Sequence, residues 1–522
     1  MVLGLLTAVI FARWSVNDWR PFEQWDSGIF LYVGEQLRQG ATLYVDVWDN
    51  KPPLIFLLNE LGLRLAGGSP SGVFFLEYVL TCLCFLLLWR SLAGLFRADL
   101  ALFGAIFGLL LFHSLVAHPN LAEVAALPVQ ALSCALLIHA LDRGFRRTDT
   151  CVQGCLAAIL FWTRADSVGI TLVYVCAFVW AVARDRQWSH ALKPGAWFFL
   201  AAVVTSFITV YPFAERSSWH SVYFAAIGFN QRYAGLTSVY DKAHTVLWFL
   251  LLLGQNPSAI LGVAGAISIV LVRPSVRALK GQVLWVALLW LVIDVSLAAV
   301  TGKRYGKNVV PWILPLSILA TGLVDTLTEE LDGIRSVRWR AVNALSTAAV
   351  LLAGLGSFAE WSASAKAPPE PDEQLIPVLR SLAGPGDRVL FWGGFTGRVV
   401  YRAGYPPGSR FFTSIPLMHE RSLYLDLAPQ VCADVRRNRP AVIVEKTGGS
   451  LPPMIAPPFA SGGSGAGTWD TEGLLLEKSA IRSQYKLVWS DAALHVKIYL
   501  RHDSRAGSSR RQGDAVGGIV RR

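Results

Sequence analysis

Between Trp25 and Leu54 the chain gathers Asp26, Gly40, Tyr44, Asp46, Asp49 and the run Lys51-Pro52-Pro53-Leu54. A carboxylate can accept a proton from a hydroxyl, and an ammonium beside a rigid Pro-Pro corner can hold a phosphate while negative charge builds on it. Charged groups near hydrocarbon are costly, so their concentration after a first apolar segment marks a functional site. The same residue types recur in later polar connections. One holds His118, Asn120 and Glu123, and the next Arg164 and Asp166. A third carries Glu215, Arg216, His220, Arg232, Tyr233, Asp241 and Lys242, and a fourth is Gly302-Lys303-Arg304-Tyr305-Gly306-Lys307-Asn308. An acid that takes a proton, combined with several basic groups, suits transfer from a phosphate-linked donor delivered by the membrane and suits a channel much less well.

The elements that must carry these loops follow from composition. Of 522 residues, 53% are hydrophobic and 16% charged, where a soluble chain carries about 25% charged. With a mean hydropathy of +0.45, the chain reads as an α-helical polytopic membrane protein. Apolar windows at 1–14, 73–90, 98–115, 121–141, 150–164, 168–183, 195–213, 245–272, 281–300, 309–326 and 341–358 make about eleven spans. The first is short, lacks a basic n-region and a cleavage site, and reads as a helix whose true start can lie upstream. The 53–67 segment is apolar but holds Asn59, Glu60 and Arg64, which predicts an interfacial helix of the first outer loop, 15–72. Gly254-Gln255-Asn256-Pro257 predicts a broken or strongly tilted helix within 245–272. Arg164, Ala165 and Asp166 alone separate two spans, a tight hairpin.

The net charge of +11 does not signal nucleic acid. Basic residues recur after every second span, at Arg90 and Arg97, at Arg143, Arg146 and Arg147, at Arg184, Arg186 and Lys193, at Arg273, Arg277 and Lys280, and at Arg335, Arg338 and Arg340. By the positive-inside rule these connections and the N-terminus are cytoplasmic, in a cytoplasmic (inner) membrane, and the loops rich in candidate site residues lie outside.

Past Ser357 the composition turns polar. The first unit, 1–358, is the membrane domain, and 359–503 reads as a small extracytoplasmic α/β domain. Strand-like runs occur at 388–392, 441–445, 485–489 and 494–500, with helical pieces near 373–382 and 427–437. The stretch 446–470 reads as a mobile loop and 504–522 as a disordered tail. Six of seven cysteines (Cys82, Cys84, Cys134, Cys151, Cys155, Cys176) lie in or beside spans as small apolar residues, and Cys432 stands alone in the outer domain. No disulfide, zinc site or redox role follows. No cofactor is expected; two acids facing a phosphate leave room for a divalent ion, but no dense carboxylate cluster predicts one. The tryptophans mostly mark membrane boundaries, and a sugar-stacking role for Trp25, Trp48 or Trp219 rests on location alone.

The order of these motifs, an Asp in the first outer loop, then G-x-x-x-Y-x-D-x-W-D-x-K-P-P-L, then an acid just after the third span, resembles the polyprenyl-phosphate-sugar-dependent glycosyltransferases of the GT-C fold. Within these the chain is similar to the bacterial relatives of protein O-mannosyltransferases and of the lipid A aminoarabinose transferase (glycosyltransferase family 39-like). The likeness is clearest over the first 140 residues and extends through KRYGKNVVPWILPL into an outer α/β tail. It implies Asp26 as general base on an acceptor hydroxyl and Lys51 on the departing phosphate, with Arg304 a second phosphate residue and Lys303 and Lys307 behind it. Glu123 matches the family's second acid in position, where Asp is also common. Asp49, Tyr44 and Tyr305 are candidate substrate contacts, Asp49 being displaced by Asn50 from the place where an acid often precedes the lysine. The partners implied are a polyprenyl-phosphate-linked sugar and a glycan, lipid or protein acceptor.

Each residue has a plainer reading. Asp26 can cap the helix that begins at Ser27, Lys51 can snorkel, Glu123 can serve a helix dipole, and Arg304 can be a topogenic or headgroup contact. At the level of the whole chain, a transporter or flippase of lipid-linked sugars is the alternative. That class places ionisable groups at mid-membrane and shows inverted repeats, whereas here ionisable residues within spans are few (Glu77, Asp294, Asp325), the charges gather on one face and no repeat is evident. A structural subunit of an envelope complex, working through its outer tail, would leave the loop acids dispensable.

Overall fold

A computed structural model describes residues 25–116, 119–185, 188–330, 371–418, 421–447, 451–454 and 469–504, with residues 4, 7 and 8. The expected spans at 1–14 and 341–358, His118, most of the 446–470 loop and the tail beyond 504 lie outside the described residues.

α1 (Trp25–Arg38) begins before Asp26, not at Ser27, and carries Asp26 in its first turn and Arg38 in its last, both favourable to the helix dipole. A compact loop leads to α2 (Pro53–Leu65), where the Pro-Pro pair does two jobs: Pro52 is the extended N-cap, and Pro53 occupies the first helical turn, where its missing N–H costs nothing. A helix thus stands where one was expected at 53–67; it packs between α1 and α3 (Ser71–Ala93). Its crossing with α3 is backbone on backbone. A Cβ on Gly72 would come within 1.9 Å of the Gly62 carbonyl oxygen, and one on Gly62 within 2.6 Å of Val73.

Helices follow in the predicted order: α4 (Ala98–Leu115), α5 (Ala122–Arg143), α6 (Arg147–Thr163), α7 (Gly169–Asp185) and α8 (Trp188–Arg216), of which α6, expected as a span at 150–164, is too short at 17 residues to count as one. A helical run through Trp219–Tyr223, the π turn Phe224–Gly228 and Phe229–Gly235 precedes α9 (Val239–Gly254) and α10 (Pro257–Val272). These two helices bend by 115° at the predicted Gly254–Pro257 break. Then come α11 (Leu279–Ala299), a 3-10 turn over Gly306–Trp312 and α12 (Ile313–Glu330). Among the described residues seven helical stretches are long and apolar enough to cross a membrane, or eight with the bent pair as one span. Large apolar side chains such as Phe75, Phe199, Val203, Leu250, Ile267 and Val292 face outward, as a lipid-facing surface requires, while Trp290, Trp312 and Phe85 fill the interior.

Two of the in-span acids are satisfied locally. Glu77 accepts the backbone N–H of Asn120 at 2.8 and 2.7 Å, and Asp325 pairs with Lys280. Asn120 takes a left-handed φ of 58° there and exchanges side-chain amide bonds with Asn59, at 2.9 and 2.8 Å. This knot ties α2, α3 and the start of α5 together, and so sets where Glu123 begins its helix.

The C-terminal unit contains the four expected strands: β1 (Val389–Trp392), β2 (Val442–Lys446), β3 (Tyr485–Asp491) and β4 (Val496–Arg501), in sheet order β1-β2-β4-β3 with only β1 and β2 parallel among the described residues. Helices at Leu375–Leu382 and Arg421–Asn438 match the predicted pieces; Gly397–Ala403 and Glu472–Arg482 are additional. The unit is seated directly on α1 and the loop that follows it. Tyr32 of α1 donates to the Tyr405 carbonyl at 2.9 Å, the Trp48 N–H donates to the Arg410 carbonyl at 2.9 Å, and Arg232 pairs with Asp426 at 2.7 Å. One hydrophobic core runs through α1, the loop and the sheet. Trp48, noted in the sequence only for its location, packs in that core against Phe229 and Phe411.

Candidate active site

The first-loop motif is a small folded unit. Tyr44, at a left-handed φ of 66°, donates its hydroxyl to the Lys51 carbonyl at 2.9 Å, and its backbone N–H donates to the Val47 carbonyl. Asp46 accepts the Thr42 N–H at 2.7 Å, and Asp49 accepts the Lys51 N–H at 2.9 Å. Tyr44, Asp46 and Asp49 therefore shape the turn that presents Lys51. The Lys51 ammonium lies 4.0 Å from the Asp49 carboxylate. Asn50 reaches across to the loop that carries Glu215 to Lys242, its amide donating to Asn230 Oδ1 at 2.8 Å while Asn230 donates to the Asn50 carbonyl at 2.7 Å.

Arg164 is the centre of the second group. Its guanidinium meets Glu123 at 2.5 Å, Asp166 at 2.5 and 2.8 Å and the Asn308 carbonyl oxygen of the side chain at 3.0 Å. Glu123 is 1% exposed, so this acid, expected beside the reacting groups, is committed to holding Arg164. The hairpin of Arg164 is bound in turn to the fifth loop through Asn308. From that loop Lys307 forms a direct ion pair with Asp26.

Burial by itself would raise the Asp26 carboxyl, but the ammoniums of Lys307 and Lys51 and the Arg164 guanidinium outweigh it and hold this acid well below the usual carboxylate range. Asp49 goes the other way: burial pushes its carboxyl up, and Lys51 only partly offsets that. Burial opposes the Lys51 charge, yet Asp49 and Asp26 keep its ammonium firmly protonated.

These loops border one cavity of about 410 Å³. Lys51, Arg164, Asp166, Tyr233, Tyr305 and Lys307 line it, with an apolar wall that includes Phe161, Leu297 and Val300. The Tyr233 and Tyr305 hydroxyls are 3.2 Å apart, and the Lys303 and Lys307 ammoniums lie over their rings at 5.2 and 5.5 Å. Such a pocket can take an anionic headgroup on its cations and an apolar chain along its wall.

Of the residues singled out from sequence, the fold brings together Asp26, Lys51, Glu123, Arg164, Asp166, Tyr305 and Lys307. Arg304 is exposed, and it is not among the described residues lining the cavity; Lys303 is half-buried beside it. Other fourth-loop residues do structural work or face solvent: Asp241 closes the first turn of α9 with Ser238, and Glu215, Arg216 and His220 are exposed. Asn230 carries no signal in the sequence. Lys307 was legible only as one of three cations in a short loop.

Residues 50–214 match the family described as dolichyl-phosphate-mannose-protein mannosyltransferase. That stretch holds Lys51, Glu123, Arg164 and Asp166, while Asp26 and Lys307 lie outside it. The fold is similar to that of ArnT from Cupriavidus metallidurans bound to undecaprenyl phosphate, with a TM-score of 0.60 at 14% identity over 95% of this chain and 97% of that one. The apo form of the same protein matches with a TM-score of 0.58, at the same identity and coverage. The archaeal oligosaccharyltransferase AglB from Archaeoglobus fulgidus aligns with a TM-score of 0.47 at 11% identity, over 85% of this chain and 69% of that one. No curated protein matches the chain. The architecture is thus the GT-C membrane fold that the motif order resembles, with the outer α/β unit included in the aligned length.

Proposed function

We propose that the protein is an integral membrane glycosyltransferase that moves one sugar from a polyprenyl-phosphate carrier to an acceptor hydroxyl on the outer face of the membrane. One observation carries this reading. Three loops remote in sequence bring Lys51, Arg164 and Lys307 to one half-apolar cavity, and Lys307 holds the acid that opens the first outer loop. The likeness to a protein bound to undecaprenyl phosphate supports the donor class.

In the proposed reaction Asp26 takes the proton of the acceptor hydroxyl as its oxygen attacks the anomeric carbon. The new C–O bond forms as the bond from that carbon to the phosphate oxygen breaks, and the electron pair leaves on the polyprenyl phosphate. Lys51 and Lys307 stabilise that anion, gaining more as charge develops, which lowers the barrier rather than merely tightening binding. Lys303, whose ammonium lies over the ring of the cavity-lining Tyr233, and the exposed Arg304 beside it can draw in an anionic headgroup. The alternation of basic loops orients the site outward.

The test is sugar transfer in reconstituted membranes from a panel of radiolabelled polyprenyl-phosphate sugars, with Asp26→Asn at matched expression. Transfer by the intact protein that falls by about 10²–10⁴-fold in the variant, as loss of a general base does, is the expected result. Absence of transfer from every donor, with lipid-linked sugar nevertheless crossing the bilayer in both forms, would replace the reading with a flippase.

A further inference from the structure

Lys307 and Asp26 are not placed alike. Lys307 lines the cavity, whereas Asp26 is not among the described lining residues and is ion-paired there with the Lys307 ammonium. The other cations nearby are engaged differently. Arg164 is bracketed by two carboxylates, Glu123 and Asp166, and Lys51 stands 4.0 Å from Asp49. Among the described residues Asp26 is the one carboxylate paired with Lys307. The Lys307 side chain is 24% exposed, so its flexible stem has room to swing toward the cavity. A carboxylate clasped by an ammonium offers its lone pairs poorly and is a weak base, and the depressed Asp26 carboxyl agrees with that state.

We propose that Lys307 has two alternative partners, Asp26 in the empty site and the donor phosphate in the loaded one, so that donor binding frees the base for the acceptor. This rests on the transfer reading above. An anion in the cavity competes with Asp26 for a single ammonium, and whichever loses is left with its other neighbours. The groups facing Asp26 after release are Lys51, Arg164 and the Asp49 carboxylate, so the freed acid keeps some positive surroundings but regains basicity. The order of events follows: donor first, acceptor second. An acceptor that arrives at the empty site finds the base occupied, which protects the site from unproductive proton transfer.

Binding measurements separate this device from simple charge repulsion without requiring turnover. Undecaprenyl phosphate is titrated into the full-length protein in lipid nanodiscs, comparing wild type, Asp26→Asn, Lys307→Gln and the double variant at matched melting temperature. If Asp26 and phosphate compete for Lys307, Asp26→Asn binds about tenfold tighter than wild type and Lys307→Gln about tenfold weaker, a coupling within the usual range for contacting charges. The double variant then binds like Lys307→Gln, because the gain from removing Asp26 needs the ammonium it releases. A gain of the same size in both backgrounds would overturn the proposal, since Asp26 would then act by repulsion alone. Lys307→Met supplies the same comparison if the glutamine variant melts early. Failure of wild type and every variant to bind undecaprenyl phosphate would instead sink the polyprenyl-phosphate reading itself.

Discussion

Replacing Glu123 with alanine removes one of the two carboxylates that grip Arg164, and the size of the loss distinguishes an anchor from a chemical participant. The pair is short, 2.5 Å, and its members are 1% and 13% exposed at the side chain. Removing one member of a buried pair costs about 3–5 kcal/mol when the other is left uncompensated. Here Asp166 still binds the guanidinium through two contacts, so a value of about 2.5 kcal/mol is the better expectation. If all of it were spent on misplacing Arg164 in the cavity, the catalytic efficiency would fall by no more than roughly 70-fold. In a detergent melting assay the same loss appears as a drop of about 5 °C or more, by the scaling for mid-sized domains. Combining Glu123→Ala with Arg164→Ala should add little to Arg164→Ala alone, because both remove the same contact. The reasoning is refuted if Glu123→Ala abolishes transfer by more than about 10³-fold with an unchanged melting temperature, for that is the signature of a lost acid or base.

Three further outcomes follow from the same coordinates. Because Lys307, Lys51 and Arg164 depress the Asp26 carboxyl, the free enzyme keeps this base ionised well below the ordinary Asp value of about 3.9, and activity is lost only as pH falls through the lowered value. A pH profile of kcat/KM should therefore show no acid limb near pH 6–7, and a limb there that persists in Asp26→Asn with the rate retained would assign the base elsewhere. Gly72→Val drives a side chain into the Gly62 carbonyl, 1.9 Å from the new Cβ, and should prevent stable accumulation in the membrane; normal yield by quantitative blotting would contradict the backbone-on-backbone crossing. In the outer unit Lys478 donates to Asp470 at 3.0 Å and to the Tyr424 hydroxyl at 2.7 Å from a site 1% exposed, so Lys478→Met should destabilise that unit by about 3–5 kcal/mol. Limited proteolysis comparing cleavage beyond residue 371 in the two forms measures it.

Much of the architecture was readable because membrane insertion imposes its rules locally. A run of apolar residues must become a helix in lipid, whatever its neighbours do, so the described helices fall where the windows place them, although Arg147–Thr163 is too short to count as a span. The same holds for the break at Gly254–Pro257, where a proline and two polar residues interrupt the ladder, and for the Pro-Pro start of α2. The strands of the outer unit were visible as short alternating or wholly apolar runs. Its helix Gly397–Ala403 was not, being seven residues long and buried largely by tertiary contact with α1.

The site divides along the same line. Residue types, their crowding into alternate loops and the Asp26-to-Lys51 motif are properties of the linear chain, and they determine that cations and acids gather at one end of the bundle. Which of them touch is a long-range matter: Asp26 and Lys307 are 281 positions apart. Lys303, Arg304 and Lys307 offer equivalent charge to any reading of the sequence. The 3-10 turn over Gly306–Trp312, pinned by the bond from Arg164 to Asn308, carries Lys307 inward in its first turn and leaves Arg304 in the extended approach, facing solvent. Likewise Glu123 looks like a free acid in the chain and becomes the partner of Arg164 only because the Asn59–Asn120 knot and the α6–α7 hairpin bring two loops within 2.5 Å. Charge is written residue by residue, but pairing depends on packing between helices that are distant in sequence.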